Sequence, residues 1–411
     1  MSSHLHPAKH QYRWVMLTGA WMIYCSFGLL ITAMAPLVNV ISAELGLSRT
    51  AMGSVLGAWP LIYVGASIPA GAVVDRFGVR PSLLIAAVVI ALSGVMRAFA
   101  FDYQSLFVSV ALFGLGAPLL SVGAPKLVSL WFDGRERGLA VGIYMTSISV
   151  GGILGLALTN SVVMPMTGNS WRLTLLVYAG FAVAVAGMWL LIVSRPVSRA
   201  VDGTLTRVSG SLLQSYAALI RVPVVQIVLV MGAGIFFFGH GLNNWLPEML
   251  RAGGMSPVLA GYWAALPTLV GIVAVLVIPR LATGPRASFI LFALFGCAFL
   301  SVLMLNTTPG LALTTALALM GVARSCLMPV AILVLMESHK VSSQNMGAAS
   351  ALFFTTGESG AVLGPLMIGF IADQTGGFAL SLKILAALSL LLALLVVPLA
   401  RAQRQIVDEH G

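Results

Sequence analysis

Apolar runs long enough to cross a bilayer recur along the whole chain, and they leave few folds open. Twelve can be marked, at about 14–41, 50–74, 80–100, 104–131, 138–163, 171–193, 223–247, 257–279, 287–305, 310–335, 346–371 and 379–400. A crossing helix needs about 20 residues, and most of these runs exceed that. In hydrocarbon a crossing segment must satisfy its own backbone N–H and C=O groups, which specifies helices. Composition closes off the water-soluble alternative. The residues are 59% apolar and 8% charged, against about 25% charged in a soluble domain. The expectation is an all-α membrane protein of twelve transmembrane helices.

Charge sets the predicted orientation. With the N-terminus placed in the cytoplasm, 15 Lys and Arg fall on the inner side and 5 on the outer, among them Arg97; Lys126 and Arg324 lie within spans. That excess satisfies the positive-inside rule and puts both termini in the cytoplasm of a multi-pass inner-membrane protein. The same rule accounts for the net charge of +10 without nucleic acid. The first run is too long for the apolar part of a signal peptide and reads as a retained span. Cys25, Cys297 and Cys326 all lie in apolar runs and form neither a disulfide framework nor a metal spacing.

The longest polar stretch, 194–222, divides the chain into a six-helix half at 1–193 and another at 223–411. It has room for a short surface helix around 209–221. The halves echo each other. "ALFGLGAPLLSVG" (111–123) is matched by "ALMGVARSCLMPV" (318–330), and "VGGILG" (150–155) by "SGAVLG" (359–364). A six-plus-six repeat is a common transporter plan, with the substrate near the bilayer midplane.

Between the second and third spans stands "GAVVDRFGVR" (71–80). Gly78 permits a tight turn, and Arg76 and Arg80 offer donors to carboxylates and helix C-termini. A glycine, Asp-Arg, a glycine and an arginine in a short cytoplasmic loop resemble the loop motif of the major facilitator superfamily. That resemblance implies the major facilitator fold, alternating access, and a gating-loop role for Gly71, Asp75, Arg76, Gly78 and Arg80. The counterpart "PRLATGPRA" (279–287) keeps Arg280, Gly284 and Arg286 but has no acidic residue. "GHGLNNWLPEML" (239–250) is similar to the cyanate and nitroimidazole transporter branch.

Polar residues inside the spans are the candidate site. A charge at a helix centre costs roughly 2.5–3.5 kcal/mol on insertion scales, so Arg324 should face a watery cavity or a partner. Arg324 and Glu358 both lie about 17–18 Å from the inner ends of their runs, at 1.5 Å per residue, and their repeat equivalents are Ala117 and Ser149. Equal depth makes Glu358 the expected partner of Arg324. Three roles stay open: Arg324 binds a substrate anion, it tunes Glu358 as a proton-coupling group, or the pair is structural. His240, between Gly239 and Gly241, is a second candidate for proton coupling or substrate contact. The flanking glycines raise the prospect of a broken helix there. Asn243, Asn244 and Tyr24 are further substrate-contact candidates. Lys126 either snorkels to the headgroups or provides a second cation on the inner path.

No phosphate loop, zinc-binding His/Glu motif or nucleophile elbow is present. The chain is therefore expected not to be an enzyme, to need no cofactor or metal, and to work as a monomer. The reading is a secondary transporter for a small organic, carboxylate-like anion, with protons and the lipid bilayer as its other partners. A proton-driven exporter of drugs or amphipathic metabolites is the alternative, and a non-transporting membrane sensor the alternative of another class.

Overall fold

The computed structural model describes residues 7–199, 217–282, 286–305, 310–336 and 346–408. Arg207, Gly284, Lys340 and most of the surface helix expected around 209–221 lie outside the described residues. The described chain is helical: α1 (Pro7–Thr32), α2 (Val38–Leu45), α3 (Arg49–Leu56), α4 (Ala58–Phe77), α5 (Val79–Ala98), α6 (Tyr103–Trp131), α7 (Gly134–Leu158), α8 (Trp171–Ser194), α9 (Pro223–Ala252), α10 (Pro257–Leu281), α11 (Arg286–Met304), α12 (Leu311–Met336), α13 (Met346–Thr375) and α14 (Ala379–Asp408). Short helical turns join some of them. Among the described residues, eleven helices are long and apolar enough to cross a membrane, and twelve when the bent second span is counted as one.

That second span departs from the straight run expected at 50–74. Its segments Arg49–Ser67 and Pro69–Phe77 meet at 61°. Pro69 has no N–H to donate and its ring crowds the preceding turn, which is the usual cause of such a bend. Four helices that start on the predicted outer side carry side-chain starts of the ordinary kind. Ser48, Ser170 and Ser256 accept from the third residue beyond them, and Asp102 forms a capping box with Ser105. Each satisfies an N-terminal amide that would otherwise have no partner.

The sequence repeat is a repeat of helix crossings. Gly151 and Gly155 of α7 lie on the α1 backbone at Cys25 and Leu29, and Gly360 and Gly364 of α13 lie on the α9 backbone at Ala233 and Phe237. A Cβ at Gly360 would run into the Ala233 carbonyl oxygen, and one at Gly151 into that of Cys25. Small residues four apart let helices approach this closely in a bilayer, where dispersion contacts hold them together. Gly114 rests on the Trp59 carbonyl of α4 and Gly321, its repeat equivalent, on the Pro267 carbonyl of α10.

The chain forms two compact units, Met1–Leu45 with Ala58–Val208, and Gly46–Gly57 with Ser209–Gly411. Helix α3, which the sequence places in the first half, thus belongs to the second unit. Its Arg49 and Thr50 amides donate to the Asp373 carboxylate at 3.0 and 2.7 Å, and the Thr50 hydroxyl donates to it at 2.6 Å. In return Arg49 donates to the Ala372 carbonyl near the end of α13. A carboxylate at a helix N-terminus and a guanidinium at a C-terminus each complement the helix dipole.

Candidate functional site

In the second unit, α9, α10 and α12 bring three polar side chains together. Arg324 of α12 donates from Nη1 to Oδ1 of Asn243 on α9 at 2.6 Å, and from Nη2 to Oγ1 of Thr268 on α10 at 2.8 Å. All three are half-buried. Helix α10 exposes the large apolar stripe Leu269, Val273, Leu276 and Val277. Thr268 stands about 100° round the helix from Leu269, since 3.6 residues make a turn. The stem of Arg324 runs past Gly239, where a Cβ would lie 3.7 Å from its Cγ. His240 stacks on Phe236 with ring centroids 5.9 Å apart and is within electrostatic reach of Arg324.

This corrects the pairing expected from depth. Among the described residues no ion pair or hydrogen bond joins Arg324 to Glu358. Depth along a helix is set by sequence. Which side chain a group meets is set by how neighbouring helices pack. Both partners of the guanidinium are neutral, so among the described residues its charge has no counter-ion. Glu358 on α13 is buried, and its Oε2 has no hydrogen-bond partner among the described residues. Thr268 was not legible beforehand. A lone threonine in an apolar run carries no signal until a donor faces it.

Other expected contacts are committed elsewhere. Asn244 donates to the carbonyl of His240, one turn back in its own helix, at 2.9 Å. Helix α9 runs unbroken through Gly239 and Gly241, against the expectation of a break. Gly241 instead admits the close approach of Gly364 and Ile368.

In the first unit, Tyr24 is buried, donates its hydroxyl to the Leu120 carbonyl at 2.7 Å and packs on Tyr144. Its hydroxyl proton is committed to the fold. Lys126 does not stand as an unpaired cation, because it forms an ion pair with Asp75. That contact also places the loop-motif carboxylate against α6. Gly78 has φ +87°, in the region that favours glycine, and donates its N–H to Val74. Arg80 donates to Ser198 at 3.1 Å and to the Val193 carbonyl near the end of α8. Gly71 has open space where a Cβ would stand, and the Arg76 guanidinium lies over the Phe77 ring.

Arg97 was counted on the outer side from sequence. It is in fact fully buried in the last turn of α5, donates to the Leu30 carbonyl at 2.8 Å, and lies over the Phe113 ring at 4.9 Å. Leu30 is in the last turn of α1, where carbonyls lack helical partners.

A long-helix bundle in two units, with repeated close crossings and polar groups held at mid-span, is the build of a membrane carrier. Residues 16–365 match the Major Facilitator Superfamily, and the chain belongs to that family of secondary transporters. A putative tartrate transporter of Agrobacterium vitis is 26% identical over 398 residues, covering 89% of this chain and 85% of the relative. The hexuronate transporter of Bacillus subtilis (strain 168) is 24% identical over 387 residues, covering 88% of each. The 2-nitroimidazole transporter of Escherichia coli (strain K12) is 27% identical over 386 residues, covering 93% and 94%. Among solved structures, a bacterial homolog of the human lysosomal transporter Spinster aligns over 96% of this chain and 98% of its own. Its TM-score is 0.78 at 15% identity, a likeness of fold. The chain is thus a multi-pass membrane transporter and not an enzyme.

Proposed function

We propose that this transporter moves a small organic anion of the carboxylate type by alternating access across the cytoplasmic membrane, with protons as the coupling ion. The observation that carries the reading is Arg324, a mid-span guanidinium held by two neutral acceptors, Asn243 and Thr268. A guanidinium has five N–H donors in a fork that suits a carboxylate. A half-buried mid-span cation with no counter-ion among the described residues gains most from an anion that arrives as ligand. Two relatives, a putative tartrate transporter and a hexuronate transporter, favour the same class.

Proton coupling is assigned to Glu358, with His240 beside Arg324 as the second group able to change charge. A buried carboxyl with an unpartnered oxygen is costly to ionise and loses that cost on taking a proton. The loop residues Gly71, Asp75, Arg76, Gly78 and Arg80 are assigned to gating, with Lys126 holding Asp75 in the state described. Both termini are placed in the cytoplasm, and the unit of function is a monomer. The test is uptake of labelled carboxylates into proteoliposomes under an imposed proton gradient. Saturable uptake that depends on the gradient and disappears in Arg324→Ala supports the reading. Full uptake by Arg324→Ala overturns it.

A further inference from the structure

The hydrogen-bond directions at Arg324 constrain the anion further. The guanidinium has two of its five donors occupied, and three N–H groups remain. Asn243 has given its Oδ1 to Arg324, and its Nδ2 has no partner among the described residues, nor is it among the sealed, unpartnered polar atoms. Thr268 accepts through Oγ1, and no acceptor for its own O–H is found among the described residues. What the cluster still offers is therefore mostly donors: a cationic fork flanked by an amide N–H pair and a hydroxyl. Its complement is a ligand rich in acceptor oxygens, one of them charged.

The number of charges follows from the other cations of the second unit. Arg251 and Arg280 lie in the last turns of α9 and α10, Arg49 and Arg286 open α3 and α11, and Lys383, Arg401 and Arg404 stand toward the two ends of α14, so Arg324 is the one Lys or Arg at mid-helix among the described residues of that unit. A positive charge on His240 would stand in the field of Arg324, and like charges so placed repel. One cationic fork remains for one carboxylate.

We infer that the cluster of Arg324, Asn243 and Thr268 is built for a hydroxylated monocarboxylate, with Arg324 holding the carboxylate and the Asn243 amide and Thr268 hydroxyl holding the ligand's hydroxyl oxygens. This rests on the organic-anion reading above. A donor built to meet a substrate hydroxyl discriminates strongly against the analogue that lacks it, because the donor is then left unpaired.

Calorimetric titration of the purified full chain with gluconate, hexanoate and glucarate separates the possibilities, since the three share a six-carbon chain. Gluconate should bind at least about 10-fold tighter than hexanoate, and glucarate no tighter than gluconate. Asn243→Ala should shrink the gluconate preference to within about 3-fold. Asn243→Asp should abolish binding of both monocarboxylates, because the new carboxylate occupies the fork; circular dichroism and monodispersity report that the variant is folded. Tighter binding of glucarate overturns the single-charge inference and leaves the organic-anion reading intact. Equal binding of gluconate and hexanoate overturns the hydroxyl inference alone. Gluconate binding by a folded Asn243→Asp variant at wild-type strength removes the cluster as the site. If none of the three binds, the organic-anion reading falls and the inference falls with it.

Discussion

Arg324 donates to Oδ1 of Asn243 at 2.6 Å, an ion bonded to an amide where the sequence suggested an ion bonded to an ion. The difference has a functional consequence. A guanidinium locked to a buried carboxylate must break a strong pair before it can accept a ligand. One resting on neutral oxygens exchanges weaker bonds for a charge-assisted pair.

Substitution at Arg324 should therefore weaken anion binding rather than folding. Arg324→Ala is expected to lose about 10- to 100-fold or more in affinity, since hydrogen bonds to charged groups contribute about 1.5–3 kcal/mol. Arg324→Lys should recover only part, because an ammonium lacks the fork. Binding isotherms on both variants check this, and wild-type affinity in Arg324→Ala would sink the site.

Glu358→Gln mimics the protonated carboxyl and removes its titration. The variant should transport with a flattened pH dependence while equilibrium binding changes by less than about 3-fold, a shift below 1 kcal/mol. Proteoliposome uptake between pH 5 and 8 (a range on the order of that of physiological switches) makes the comparison. A pH profile superimposable on that of the wild type would remove Glu358 from coupling.

Lys126 is already engaged by Asp75, so it should matter little to the ligand. Lys126→Gln is expected to leave KM within about 3-fold. A double-mutant cycle with Asp75→Asn should give a coupling of about 0.2–1 kcal/mol, the range of partly exposed ion pairs. A KM loss comparable with that of Arg324→Lys would instead make Lys126 a ligand contact.

Asp373 closes the N-terminus of α3. Asp373→Ala should destabilise the second unit by about 0.5–2 kcal/mol, the cost of losing a helix cap, and Asp373→Asn should restore part of it through its remaining acceptor oxygen. Denaturation midpoints of the two variants in detergent test the order. Equal midpoints for wild type and Asp373→Ala would show that the carboxylate contributes nothing to holding α3.

Much of this transporter is a one-dimensional property of the chain. Which segments cross, that the protein is multi-pass, that Gly151 repeats as Gly360, and that Arg324 and Glu358 share a depth all follow from hydropathy, spacing and a rise of 1.5 Å per residue. The Asp-Arg loop at 75–76 likewise pointed to the family that residues 16–365 match. Contacts across helices were not legible, because the direction a side chain faces is useful only once the neighbouring helix is known. Close packing at Gly360 and Gly321 decides that neighbour. So the fold turned Arg324 towards Asn243 and Thr268 and away from any ion pair with Glu358, tied Lys126 to Asp75, drew Arg97 under Phe113, and carried α3 into the second unit. The sequence determined the class of molecule and how deep its charges lie. Only tertiary packing decided which of those charges has no counter-ion among the described residues, since that depends on residues far apart in the chain meeting at one place.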